Sequence, residues 1–200
     1  VLEHTLGSLW GIAKLEGLVL VSHGHPALAS ILERYSEHKL IRAPGGAERC
    51  HSVLNGLAAL EALADDDDWV LVHDAARPCV RQHDLQLLIN KLARHEFGGL
   101  LGTPVRDTMK RVDGQRRVSE TVERTDLWHA LTPQMFRYGL LKKALETALA
   151  DGYEVTDEAS AMEHAGYRPQ MVEGHADNIK ITQFEDLELA SFFLQLQGRL

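Results

Sequence analysis

Cysteine, aromatic residues and basic charge are all scarce in this 200-residue chain. Cys50 and Cys79 are its only two cysteines, far apart and in no C-x-x-C spacing. That excludes a disulfide framework and reads as free thiols in a reducing compartment. No window approaches the ~18 consecutive apolar residues of a membrane-spanning helix. No basic-then-apolar leader opens the sequence, so the expected location is the cytoplasm. Lys and Arg number 21 against 29 Asp and Glu, a formal net charge of −8. So acidic a chain is a poor general binder of nucleic acid, whose affinity comes mostly from neutralised phosphates. A small phosphorylated ligand stays open, because a few placed bases suffice for it. No internal repeat is present. The apolar fraction of 44% and charged fraction of 25% exclude a disordered or collagen-like chain. The length suits a single domain over residues 1–200.

What is present alternates between strand and helix patterns. Leu15–Ser22, Lys39–Ala43, Trp69–His73 and Gly98–Val105 are strand-sized runs, the last weakened by glycines. Trp69–His73 is nearly all apolar, as a strand covered on both faces is. Between them, Val53, Leu57, Leu60 and Ala64 fall on one helical stripe. Leu85, Leu88 and Leu92 form a second, and Leu140, Leu141, Leu145 and Leu149 a third. Thr182-Gln-Phe-Glu185 reads as a capping box opening a last helix with Leu187, Ala190 and Leu194 on one face. Thr156 precedes Asp157 and Glu158, acids suited to a first helical turn, and that helix stops near Gly166. The expected class is α/β: three layers around a mostly parallel twisted sheet.

Asp107–Arg124 breaks the rhythm. It is polar, with Asp113-Gly114 in its middle, a hairpin signal. Val112, Val118 and Val122 give it a thin apolar face, and an isolated hairpin is marginal in water. It reads either as a solvated surface hairpin or as an arm lying on a partner subunit. Asp65–Asp68 reads as a solvated loop rather than a metal site. Among eleven histidines, His23-Gly-His25 has the spacing of a zinc pair but no third ligand nearby, which favours a surface role. His73 reads as a strand residue rather than a base.

Ligands of an open parallel sheet bind beyond the carboxyl ends of its strands. After Lys39–Ala43 come Pro44-Gly-Gly-Ala-Glu-Arg49, where Gly45 and Gly46 let backbone N–H groups approach a ligand and Ser52 points back from the next turn. After Trp69–His73 come Asp74-Ala-Ala-Arg-Pro78. Asp74 there holds Mg²⁺ or a ribose hydroxyl, or else simply pairs with Arg77. Arg77, Arg106, Lys110, Arg124 and Lys180 stand at strand or arm ends. Together they make a local cationic site in an anionic body, which suits a phosphate-rich small substrate.

The blocks VHDAARP (Val72–Pro78), PVRDTMK (Pro104–Lys110), ER-x-x-LWHALTPQ (Glu123–Gln134), TDEASAME (Thr156–Glu163) and DNIKIT (Asp177–Thr182) stand in order. With GGAER-x-x-SVLNGL (Gly45–Leu57), they closely resemble the 2-C-methyl-D-erythritol 4-phosphate cytidylyltransferases of the non-mevalonate isoprenoid pathway. The resemblance runs from about Val1 to about Phe193. Members of that family begin with a strand and a glycine-rich loop that wraps the CTP phosphates. This chain starts at VLEHTL, which in the family follows that loop, so the expectation is that such a strand and loop precede Val1. Ala47 stands where relatives often have Asp, at a contact that is mainly backbone.

The resemblance implies a Rossmann-like nucleotidyltransferase fold and attack of the substrate phosphate on the α-phosphorus of CTP, with Mg²⁺ as cofactor. It assigns cytosine, ribose and phosphate contacts to Gly46, Ala47, Ser52, Asp74, Ala75 and Lys180. It assigns methylerythritol phosphate to Asp74, Arg77, Thr108, Arg124, Thr132, Thr156 and Lys180. Asp74, Arg124 and Lys180 carry the catalytic roles, with Asp74 the metal residue. It also implies a homodimer whose arm, residues 107–124, brings Thr108 and Arg124 into the partner's site.

Overall fold

The computed structural model describes residues 1–35 and 39–200. After α1 (Leu2–Trp10), two βα units follow: β1 (Leu18–Ser22), α2 (Pro26–Arg34), β2 (Leu40–Pro44) and α3 (Arg49–Ala58). Then come β3 (Trp69–Val72), α4 (Gln82–Leu92) and β4 (Gly98–Pro104), the hairpin β5 (Met109–Val112) and β6 (Val118–Val122), and β7 (Trp128–Arg137). The chain ends with α5 (Tyr138–Ala150), α6 (Glu158–His164), β8 (Gln170–Glu173) and α7 (Asp186–Leu196).

β1 and β2 pair in parallel. The larger sheet has the order β3-β7-β4-β8. β7 runs antiparallel to both of its neighbours, and β4 is parallel to β8. Three of these four strands therefore run together, as expected, with β7 reversed between them. Among the described residues β1 pairs only with β2 and β3 only with β7. That leaves an open edge on each, and the apolar Trp69–Val72 is only half-buried.

Helices cover both faces. Leu100 and Phe136 join Leu57, Leu141, Leu145 and Met162 on one side. Leu101 and Met135, their strand neighbours, face the other way into Leu85, Leu88 and Leu92 of α4. The glycines of β4 permit its central place. A Cβ on Gly98 would meet the Met135 carbonyl oxygen at 2.0 Å, and one on Gly99 that of Gln170 at 2.0 Å. They weaken the strand pattern while admitting close neighbours.

Two helix starts differ from expectation. No Thr182–Glu185 box forms and no side chain caps α7; instead Asp186, its first residue, ties down the preceding turn, its Oδ2 accepting from the Thr182 and Gln183 N–H groups and the Thr182 hydroxyl. At α6 the box is Asp157 with Ser160, and Glu158, in the first turn as expected, is buried. The turn after α6 falls at Gly166 as expected, with φ +90°. The hairpin forms around Asp113-Gly114 and all its strand residues except Val122 are exposed, Val112 by 50% and Val118 by 61%.

Candidate active site

Asp74 follows β3 and gathers the site. Arg49 Nε lies 3.0 Å from its Oδ1, and Lys180 Nζ 3.0 Å from its Oδ2. Arg77 Nε stands 3.6 Å from the same Oδ2. Burial works to raise the Asp74 pKa, but Arg49 and Lys180 outweigh it and hold the carboxyl below its usual range. Burial lowers the pKa of Arg77.

Each side chain is placed by a different element. Arg49 opens α3 just beyond the glycine turn, and both its terminal nitrogens are bound by Glu158 at the start of α6. Burial raises the Glu158 carboxyl above its usual range, with Arg49 pulling the other way. Arg77 donates through Nη1 to the Asn178 carbonyl at 2.8 Å, and Ile181 N–H reaches the Ala76 carbonyl at 2.9 Å. These bonds dock the segment that carries Lys180. The Thr5 hydroxyl of α1 donates to the Ala75 carbonyl at 2.8 Å.

Beneath Asp74 lies a polar relay. The ladder between β4 and β7 shifts register between Leu100 and Gly102, opposite Leu131–Pro133. Pro133 has no N–H to give a ladder, so a bulge belongs there. The Asp74 N–H donates to Thr132 Oγ1 at 3.1 Å, and the same hydroxyl lies 2.9 Å from His73 Nδ1. His73 Nε2 faces the Arg77 carbonyl at 3.0 Å, an acceptor only. Nε2 therefore carries the proton and Nδ1 accepts from Thr132. Burial pushes the His73 pKa down to about 4, which keeps this tautomer neutral at pH 7. Asn178 Nδ2 completes the relay with a bond to the Thr132 carbonyl at 2.8 Å.

The glycine turn lies beside this cluster in the chain. Gly46 N–H donates to Ser52 Oγ at 2.9 Å, and Ser52 Oγ donates to the Glu48 carbonyl at 3.2 Å. A Cβ on Gly46 would meet His51 Cβ at 2.4 Å, so the tight return of α3 requires glycine here. Ala47 and Ala75 are exposed.

The structure thus brings Asp74, Arg77, Thr132 and Lys180 together. Thr156 is exposed just before α6, its N–H on Ser160 Oγ at 3.1 Å. Thr108 and Arg124 line a separate hollow with Thr121, Val122 and Glu123, which holds no residue of the Asp74 cluster. Arg124 Nη1 donates to the Arg106 carbonyl. Arg49, Glu158, His73 and Asn178 were not read as site residues in the sequence. Arg49 sits next to the glycine turn and Glu158 inside a matched block, but only the fold pairs them. His23 and His25 join no metal-type cluster among the described residues.

The profile of the family described as IspD, 2-C-methyl-D-erythritol 4-phosphate cytidylyltransferase, matches residues 1–196. A protein of that name from Photobacterium profundum is 47% identical over 98% of this chain and 84% of its own length. A crystal structure of a 4-diphosphocytidyl-2C-methyl-D-erythritol synthase superposes with a TM-score of 0.87 at 38% identity, covering 96% of this chain and 89% of that one. That of the Francisella tularensis cytidylyltransferase gives 0.86 at 34% identity, over 97% and 88%. With a match along nearly its whole length, this chain belongs to the 2-C-methyl-D-erythritol 4-phosphate cytidylyltransferase family.

Proposed function

We propose that this chain transfers the cytidylyl group of CTP to the phosphate of 2-C-methyl-D-erythritol 4-phosphate, a step of isoprenoid precursor biosynthesis. A phosphate oxygen of the small substrate forms a bond to the α-phosphorus. The bond from the α-phosphorus to the β-phosphate bridging oxygen breaks, and pyrophosphate leaves with the electron pair. The observation that carries the reading is the convergence of Arg49, Arg77 and Lys180 on Asp74 at 3.0–3.6 Å, in a chain of net charge −8. Two anionic substrates meeting in one place need positioning and charge neutralisation more than covalent help.

Lys180 is exposed enough to swing from Asp74 to a phosphate, and Arg77 offers a fork nearby. The Gly45–Gly46 turn suits a pyrimidine edge, with Ser52 fixing its shape. Thr132 acts by holding Asp74, since its hydroxyl already has two partners. Thr156, exposed just before α6, is assigned to the tetritol.

Asp74 fits Mg²⁺ as part of a metal–triphosphate complex. Oδ1 has Arg49 at 3.0 Å and Oδ2 has Lys180 at 3.0 Å with Arg77 at 3.6 Å, and a carboxylate has further lone pairs. Mg²⁺ is commonly held by one or two carboxylates plus substrate phosphates. When bound, it would offset phosphate charge and orient the triphosphate.

A homodimer, with Thr108 and Arg124 acting in the partner's site, agrees with the separate hollow they line and the exposed valines of the hairpin. Cytoplasmic location agrees with two free, buried cysteines, and no helix among the described residues is long and apolar enough to cross a membrane.

The test is turnover of each nucleoside triphosphate with 2-C-methyl-D-erythritol 4-phosphate, followed by ³¹P NMR. The expected result is a pyrophosphate and a diphosphate diester from CTP, with purine triphosphates far slower. Preference for another triphosphate or sugar phosphate, or binding without turnover, would overturn the reading.

A further inference from the structure

Away from Asp74, the start of α4 and the end of β8 bring three metal-type donors together. His83 Nδ1 lies 3.3 Å from Asp84 Oδ1, and His175 Nδ1 lies 2.7 Å from the same oxygen. One donor atom from each residue fits within 4.8 Å of the others. The two imidazoles meet edge to face, their centroids 5.9 Å apart. The other Asp84 oxygen accepts the His175 N–H at 2.9 Å.

The Asp84 side chain is 1% exposed. A carboxylate so buried calls for a compensating cation. Among the described residues its only ion-pair partners are His83 and His175. Arg81, three residues earlier, is committed to Asp177 at 2.6 Å. The rings are accessible, His83 by 72% and His175 by 44%, so the donor set opens to solvent. It does so in a cleft of about 660 Å³ that Arg106, Glu173 and Asp177 also line.

We propose that His83, Asp84 and His175 bind a divalent transition-metal cation of the zinc type, at a site separate from the Mg²⁺ of the reaction. Two imidazole nitrogens favour zinc-type ions, whereas Mg²⁺ and Ca²⁺ take oxygen ligands. Three protein ligands with an open fourth position make a familiar tetrahedral site. Donors about 2.0–2.1 Å from such an ion stand ~3.3 Å apart across a tetrahedral edge. His83 and Asp84 already have that spacing. His175 must open by about half an ångström, which its exposed ring allows. The site fastens α4 to the segment that runs from His175 to Lys180.

The test uses tag-free protein stripped with a chelator, then titrated with Co²⁺ in excess Mg²⁺. The expected result is one Co²⁺ per chain with the visible absorption of a four-coordinate ion, displaced by Zn²⁺. Zn²⁺ should also raise the unfolding temperature, as any ligand of the native state does. H83Q alters an exposed ring and so keeps the fold, checked by circular dichroism. It and H175Q should each weaken binding by more than about tenfold, since even outer partners of a metal ligand are worth that much. D74N should bind Co²⁺ like the unaltered protein. Absence of saturable Co²⁺ binding, or binding indifferent to both histidine changes, would overturn the proposal.

Discussion

Arg49 grips Glu158 with both terminal nitrogens, Nη1 to Oε1 at 2.6 Å and Nη2 to Oε2 at 2.9 Å, and the Glu158 side chain is fully buried. The same guanidinium reaches Asp74 through Nε at 3.0 Å. A helix start thereby orients the cation that orients the carboxylate at the end of β3. Glu158→Gln keeps the shape and removes the charge. Breaking a buried pair from one side costs about 3–5 kcal/mol, and a half-buried Arg49 recovers some by turning to water, leaving about 2–3 kcal/mol. The unfolding temperature should fall by roughly 4–12 °C for a chain of this size. Loss of the fixed Arg49 should also lower kcat by about tenfold with little change in either KM. A lower unfolding temperature with unchanged kcat would show that Asp74 does not depend on this grip.

Part of this was legible in the sequence and part was not, for identifiable reasons. The α4 and α5 stripes and the hairpin turn declare themselves because periodicity and turn chemistry are local. β7 stayed hidden. Its WHALTPQMFR mixes polar residues, a proline and a buried run, and only pairing on both sides makes it a strand. Asp74 was conspicuous as an acid after an apolar strand. Its partner Arg49 was not, because 25 residues separate them and the ion pair exists only once α3 has packed. Glu158 read as a first-turn acid, which it is, but its burial against Arg49 exists only once α3 and α6 have packed. His73 read as a plain strand residue. Its role in the relay depends on the β7 bulge that delivers Thr132.

Asp74→Asn should leave a folded protein that barely turns over. The amide keeps an acceptor for one cation but loses the charge that balances Arg49, Arg77 and Lys180. Losing a charged contact at a polyphosphate site should cost a few kcal/mol, hence about 10²-fold or more in rate. Steady-state assays with both substrates saturating check this. A kcat near that of the unaltered enzyme would remove Asp74 from the chemistry.

His73 should make stability depend on pH in a defined window. Its folded pKa is lowered from 6.5 to about 4. The unfolded chain therefore takes up a proton before the folded one does. The stabilisation is fully present above 6.5 and is lost progressively as pH falls from 6.5 toward 4. From pH 7 to pH 5 the loss attributable to this residue is about 2 kcal/mol. Urea unfolding at the two pH values should show that loss in the unaltered protein and not in His73→Gln. Equal slopes in both would place the histidine in contact with solvent.

Ser52 and Lys180 should separate in kinetics. Ser52 holds the Gly46 N–H and the Glu48 carbonyl, so Ser52→Ala loosens the glycine turn alone. The expected result is a several-fold higher KM for CTP, about what one hydrogen bond is worth, with the other KM unchanged. Lys180 stands on Asp74 at 3.0 Å, where both phosphates would meet. Lys180→Ala should raise both KM values and lower kcat. An unchanged CTP KM in Ser52→Ala would show that the turn does not touch the nucleotide.

Arg124 lies with Thr108 at the root of the hairpin, outside the Asp74 cluster. The hairpin exposes Val112 and Val118, so a second subunit is the expected platform, with Arg124 working in its site. Mixed dimers test that geometry. Asp74→Asn and Arg124→Ala are each expected to be inactive alone. When equal amounts are refolded together, random assortment makes half the dimers mixed under two-fold symmetry. If Arg124 serves the partner's site, each mixed dimer has one site with both defects and one with neither, and about a quarter of full activity returns. If Arg124 serves its own subunit, every site keeps one defect and nothing returns. Mixed dimers verified by mass, yet inactive, would refute the shared site and leave the reaction itself untouched.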